Sequence, residues 1–134
     1  MKKLFFCTVS ALILQGCAPR FDCGDYIKSE SKSPGGKYIA TYYERDCGAT
    51  TDTATTINLR NSLAKFSADE GVIFVSEGQF QVKLIWDDDM SLRIECPDCR
   101  PHDIFKQEKS WAGVSISYLT FDPTKKNENA TPDK

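Results

Sequence analysis

The chain has 134 residues, 17 basic and 19 acidic side chains, a single histidine and a net charge of −2. That length suits one compact domain and is too short for two. Lys and Arg are nowhere concentrated among aromatic residues, which argues against nucleic acid as a partner and against electrostatic adsorption to anionic lipid.

Met1-Lys2-Lys3 opens the chain and an apolar run from Leu4 to Gly16 follows. The run falls short of the about 20 apolar residues that a spanning helix needs. A basic start, an apolar middle and a small residue before the cut make a secretory signal. The tetrad Leu14-Gln15-Gly16-Cys17 closes it. It resembles the lipobox of bacterial lipoprotein precursors, in which the cysteine is lipidated and becomes the mature N-terminus. Gln15 departs from the small residue usual at its position, and cleavage after Ala18 as an ordinary secretory protein is the other reading. The resemblance implies a signal peptide over 1–16, palmitate-type acylation at Cys17 and membrane attachment through acyl chains. Because Ala18 rather than Asp follows the cysteine, it also implies the outer membrane facing the periplasm, in a Gram-negative host. Loss of Lys2 and Lys3 brings the mature chain to a net charge of about −4.

Residues 17–33 contain few apolar side chains and read as a lipidated N-terminus and tether, ending in Lys28-Ser-Glu-Ser-Lys-Ser33. Ser33-Pro-Gly-Gly36 is a turn signal and opens a β-rich domain over 34–122. Lys37–Arg45 and Thr53–Arg60, rich in aromatic and β-branched residues, are predicted strands. The polar stretch Asn61–Gly71 is a predicted loop, and Val72–Val75 a short strand. Phe80–Trp86 is the clearest strand, with Phe80, Val82, Leu84 and Trp86 on one face by period two. Asp87-Asp88-Asp89 turns it into Ser91–Cys96, an antiparallel hairpin. Trp111–Phe121 is the last predicted strand, and 123–134 is a predicted disordered tail. Five to seven strands without a helical period predict a mainly β fold: a single small antiparallel sheet, sandwich or partial barrel whose strands bury one face and wet the other.

Four cysteines remain in the mature domain: Cys23, Cys47, Cys96 and Cys99. An even number in an oxidising compartment predicts two disulfides. Of the three possible pairings, Cys23–Cys47 with Cys96–Cys99 is favoured because the second pair is near enough in sequence to close locally.

Arg45-Asp-Cys-Gly-Ala-Thr-Thr51 resembles a signature of small uncharacterised bacterial β-rich proteins, a resemblance that carries no activity. Gly48, Thr50 and Thr51 are candidate contacts for an anion or for a partner's backbone; a tight connection whose hydroxyls serve local backbone is the favoured reading. Cys96-Pro-Asp-Cys99 has redox spacing, but no βαβ pattern frames it. With His102 it lacks a fourth zinc ligand. Asp87–Asp89 lacks the alternation and the glycine of a calcium loop. Nothing in the sequence places Glu44 near Glu95. Ser33-Pro-Gly-Gly-Lys resembles one repeat of TolB-type propellers, but a single copy builds none. The expectation is therefore a lipid-anchored, non-enzymatic binding or accessory module of the envelope, without cofactor or metal, with an envelope protein as candidate partner. A thiol–disulfide protein using Cys96 and Cys99, or a structural outer-membrane lipoprotein, are the alternatives.

Overall fold

The computed structural model describes residues 22–124; the expected signal segment, Cys17 and residues 125–134 of the expected tail lie outside them. In chain order the strands are β1 (Gly24–Lys32), β2 (Tyr38–Asp46), β3 (Ala54–Asn61), β4 (Val72–Glu77), β5 (Lys83–Asp88), β6 (Ser91–Cys96), β7 (Ile104–Gln107), β8 (Ser110–Trp111) and β9 (Val114–Thr120), with a 3-10 turn at Pro101–Asp103. The fold is mainly β: one sheet has the order β1-β2-β3-β4-β7, the other β5-β6-β9-β8, and the two do not close into a barrel. Among the described residues no helix is long and apolar enough to cross a membrane.

Both sheets contribute to one core. Tyr38, Ala40 and Tyr42 of β2, Ile57 and Leu59 of β3 and Phe74 of β4 meet Leu92, Ile94 and Cys96 of β6 and Val114 and Ile116 of β9. Phe80, Val82, Leu84 and Trp86 pack against that core, as their period-two face predicts. The strand itself begins only at Lys83, because Phe80–Val82 spans the crossing between sheets, where no neighbouring strand is available to pair with it.

Three differences from the sequence expectation have physical causes. First, 17–33 is not a tether throughout. Gly24–Lys32 is an edge strand antiparallel to β2, from Gly24 opposite Asp46 to Lys32 opposite Ile39. It has few apolar residues because it lies at the sheet's rim, where most of its side chains are exposed. Cross-strand ion pairs replace apolar packing: Asp25 with Arg45 at 3.4 Å, Lys28 with Glu44 at 2.9 Å and Glu30 with Arg60 at 2.8 Å. Second, β6 and β9 pair in parallel, Leu92 beside Ile116 and Ile94 beside Tyr118. The chain leaves β6 for the other sheet, forms β7 there and returns through the β8–β9 hairpin, so β9 enters alongside β6. Ala112 and Gly113 at that hairpin both have positive φ, 47° and 85°, as a two-residue turn of this hand demands. Third, only β6 and β9 alternate cleanly between buried and open positions. β2 and β3 are buried on both faces because the Asn61–Gly71 connection folds over the outside of their sheet. Phe66 meets the Tyr43 ring edge-on at 5.2 Å, the Tyr43 hydroxyl donates to the Ala68 carbonyl at 2.8 Å, and the Asn58 amide donates to the Ser67 carbonyl at 2.8 Å. Gly71, at φ 64°, lets this cover return close to β3: a Cβ there would lie 2.0 Å from the Leu59 carbonyl oxygen.

Candidate functional site

Cys23 is bonded to Cys47, and Cys96 to Cys99. The first bond sews the start of β1 to the end of β2. The second lies in the core, both half-cystines fully buried, and closes a turn in which the Cys99 amide donates to the Cys96 carbonyl at 3.0 Å. His102 is an exposed side chain 3.2 Å from Asp103 and sits apart from these sulfurs' chemistry, since both are already bonded. No group of three or more His, Cys, Asp or Glu among the described residues is arranged to hold a metal.

The Asp46–Thr51 part of the Asp46–Asp52 connection closes on itself. The Gly48 amide donates to the Asp46 carboxylate at 3.0 Å, and both the amide and the hydroxyl of Thr51 donate to the Gly48 carbonyl, at 3.1 and 3.2 Å. A carboxylate thus occupies the amide expected to meet an anion. Gly48, Thr50 and Thr51 are all exposed. The three aspartates at the β5–β6 turn are likewise engaged in structure. Asp87 pairs with Arg93 at 3.3 Å; Asp88 accepts from the Met90 amide at 2.8 Å and the Ser91 hydroxyl at 3.0 Å. Asp89 accepts from the Gly35 amide and so ties this turn to the one between β1 and β2. Glu44 and Glu95 fall in different sheets, each beside its own cation, Lys28 for one and Arg93 at 3.6 Å for the other.

What the structure assembles instead is a cleft of about 510 Å³ between β1 and the Gln79–Val82 crossing, open to solvent. One wall begins at an irregularity in β1. Ile27 pairs with Tyr43 and Ser29 with Tyr42, so Lys28 is an extra residue, a bulge. Bulges re-aim side chains and are frequent beside binding sites. This one sends Lys28 across to Glu44 of β2. The floor is Tyr42, 7% exposed, whose hydroxyl donates to the Phe80 carbonyl at 2.5 Å and lies 3.4 Å from the Glu44 carboxylate. Burial and, after it, the neighbouring Glu44 charge push the Tyr42 hydroxyl up to about 12, so it remains a neutral donor. Phe80 and Val82 supply the opposite apolar wall; Ser29, Gln79 and Gln81 supply polar groups at the rim.

Two other clefts are chemically poorer. The one over the Cys96–Cys99 turn, about 630 Å³, carries only Asp98 and Asp122 as charged groups, and Asp122 already accepts from Thr124. A second, of about 510 Å³, gathers Asp52, Glu77 and Asp103; the hydrogen bond that the Glu77 carboxyl donates to Asp52, with desolvation and the neighbouring Asp52 and Asp103 charges, holds that carboxyl above its ordinary range. This cleft carries no basic side chain to pair with an anion, and its carboxylates form no metal-holding group among the described residues.

No protein-family model, no curated protein and no solved structure matches this chain. The site reading therefore rests on its geometry. Lys28 falls in the segment expected to be a tether, Tyr42 is one of several aromatics in a predicted strand, and Phe80 lies on a predicted apolar face. Period-two faces place Tyr42 and Glu44 together on β2, but nothing local brings Phe80, 38 residues away, against them.

Proposed function

We propose that this is an envelope protein, lipid-anchored through Cys17, whose β-domain binds a small polar ligand in the cleft between β1 and the Gln79–Val82 crossing. The observation that carries the binding reading is the bulge-borne Lys28–Glu44 pair, set against a buried tyrosine hydroxyl and an apolar wall. Opposite charges, hydrogen-bonding amides and apolar surface in one concavity are what recognition of a small ligand requires. Two disulfides suit an oxidising compartment, in keeping with export. The burial of both Cys96 and Cys99 favours a structural bond over thiol exchange, which needs a sulfur open to attack. The acyl anchor supplies attachment that the domain's surface charge does not.

Two measurements test this. Cys17→Ala is expected to leave the protein unprocessed or released from membranes; a wild-type N-terminus that starts unmodified after Ala18 contradicts the anchor. Amide chemical shifts of the protein, recorded with the small-molecule fraction of an envelope extract, are expected to move at Lys28, Glu44 and 79–82. Movement confined to Gly48–Thr51 contradicts the cleft.

A further inference from the structure

Resting on the reading of the cleft as a binding site, we infer that its ligand is a free α-amino acid with an apolar side chain, held by both its charged ends. Lys28 Nζ and Glu44 Oε2 are 2.9 Å apart and lie side by side at the cleft wall. In a free amino acid one carbon carries both the ammonium and the carboxylate, and standard bond lengths put its nitrogen and nearer oxygen at roughly 3 Å. The two separations match. The ligand's carboxylate sits on Lys28 while its ammonium sits on Glu44, which makes a square of alternating charges. Neither contact requires the protein's own ion pair to break. A lysine ammonium has three N–H donors and a carboxylate has about four acceptor positions, and only part of each is used by the other.

The surroundings fix the rest of the ligand. The Lys28 side chain is 43% exposed and Glu44 13%, so the pair is reachable from the cleft while the carboxylate is largely shielded from bulk water. That shielding strengthens a charged contact relative to one at the open surface. The Tyr42 hydroxyl commits its one proton to the Phe80 carbonyl, so Glu44 keeps its acceptor positions for Lys28 and the ligand. Beyond the pair, Phe80 and Val82 offer apolar surface for a side chain. A peptide separates its two charged ends by several bonds and cannot match both, and a neutral sugar has no charge for either.

The test uses the full-length protein in detergent micelles, with L-leucine, L-leucinamide and N-acetyl-L-leucine as probes, followed by amide chemical shifts and calorimetry. L-leucine is expected to shift Lys28, Ser29, Glu44 and 79–82, and each singly blocked form to bind about tenfold more weakly, since each loses one ion contact. Lys28→Met is expected to weaken L-leucine to the level of L-leucinamide and to abolish the difference between those two. Glu44→Gln is expected to do the same for N-acetyl-L-leucine, and Lys28→Arg to retain most of the affinity. Unchanged denaturation midpoints show that these variants are folded. Equal binding of all three probes at the cleft overturns the amino-acid assignment and leaves the cleft as a binding site. Absence of any shift at the cleft from all three overturns the amino-acid assignment, and the binding reading falls with it only if the envelope extract also moves nothing at Lys28, Glu44 and 79–82.

Discussion

Two polar segments flank β2, and Cys23–Cys47 joins them. Gly24–Lys32 and Asp46–Asp52 look alike in composition: small, hydroxyl-bearing and charged residues with few apolar ones. Their polar groups do opposite things. In Asp46–Thr51 the bonds reach two or three residues, from Gly48 to Asp46 and from Thr51 to Gly48, and Asp52 at its end meets Glu77. In Gly24–Lys32 they reach across strands: Glu30 meets Arg60, 30 residues on, and the Ser31 carbonyl accepts from Trp86, 55 residues on. Polar composition therefore does not separate a loop from an edge strand. The range of the partners does, and the segment whose partners lie on other strands is the one that walls the proposed binding cleft.

Alkali strains that contrast most. Tyr42 and Tyr43 of β2 ionise near the ordinary value of 10.0 when unfolded, but burial pushes both up to about 12 in the fold. The fold favours the neutral hydroxyls, so their contribution is intact below pH 10 and is lost as the pH climbs from 10 toward 12. Denaturation midpoints should be flat with respect to these groups up to pH 10 and then fall steeply, with tyrosinate absorbance rising on unfolding. A midpoint unchanged at pH 12 would contradict their burial.

Removing the bond that joins the two segments comes next. The Cys23–Cys47 bond spans 24 residues, and Cys23→Ala with Cys47→Ala should cost about 3 kcal/mol in urea denaturation. Tyr42→Phe should cost about 1–2 kcal/mol, because it strands the Phe80 carbonyl while keeping the ring in the core.

How much of this was legible beforehand follows from the same distinction. Tyr38–Asp46, Ala54–Asn61, Ser91–Cys96 and Val114–Thr120 carry apolar residues that report their own faces, and their strands lie within a few residues of where the sequence puts them. The inward face of Phe80, Val82, Leu84 and Trp86 was readable for the same reason. Gly24–Lys32 was not, because its stabilising partners, Arg45, Glu44 and Arg60, are on other strands. The cleft was unreadable as well: it exists only once a bulge in one strand meets a crossing segment between two sheets. The parallel β6–β9 pair depends on the chain's excursion through β7, which no local pattern records.

The smallest expected effect is at the connection the sequence singled out. Thr50→Ala with Thr51→Ala should change stability by less than about 0.5 kcal/mol, because both side chains are exposed and water replaces the single Thr51 hydroxyl bond. A loss of 2 kcal/mol or more, on the order of a stranded buried group, would show that these hydroxyls hold more than their own turn.

The most direct test of the account is amide hydrogen exchange along Gly24–Lys32 in the oxidised protein, since the cleft exists only if this segment is a strand. The ladder with β2 predicts slow exchange at the amides that donate to β2, alternating with fast exchange at those facing outward. Uniform exchange at unfolded-chain rates across Gly24–Lys32, with β2 and β3 still protected, would contradict it.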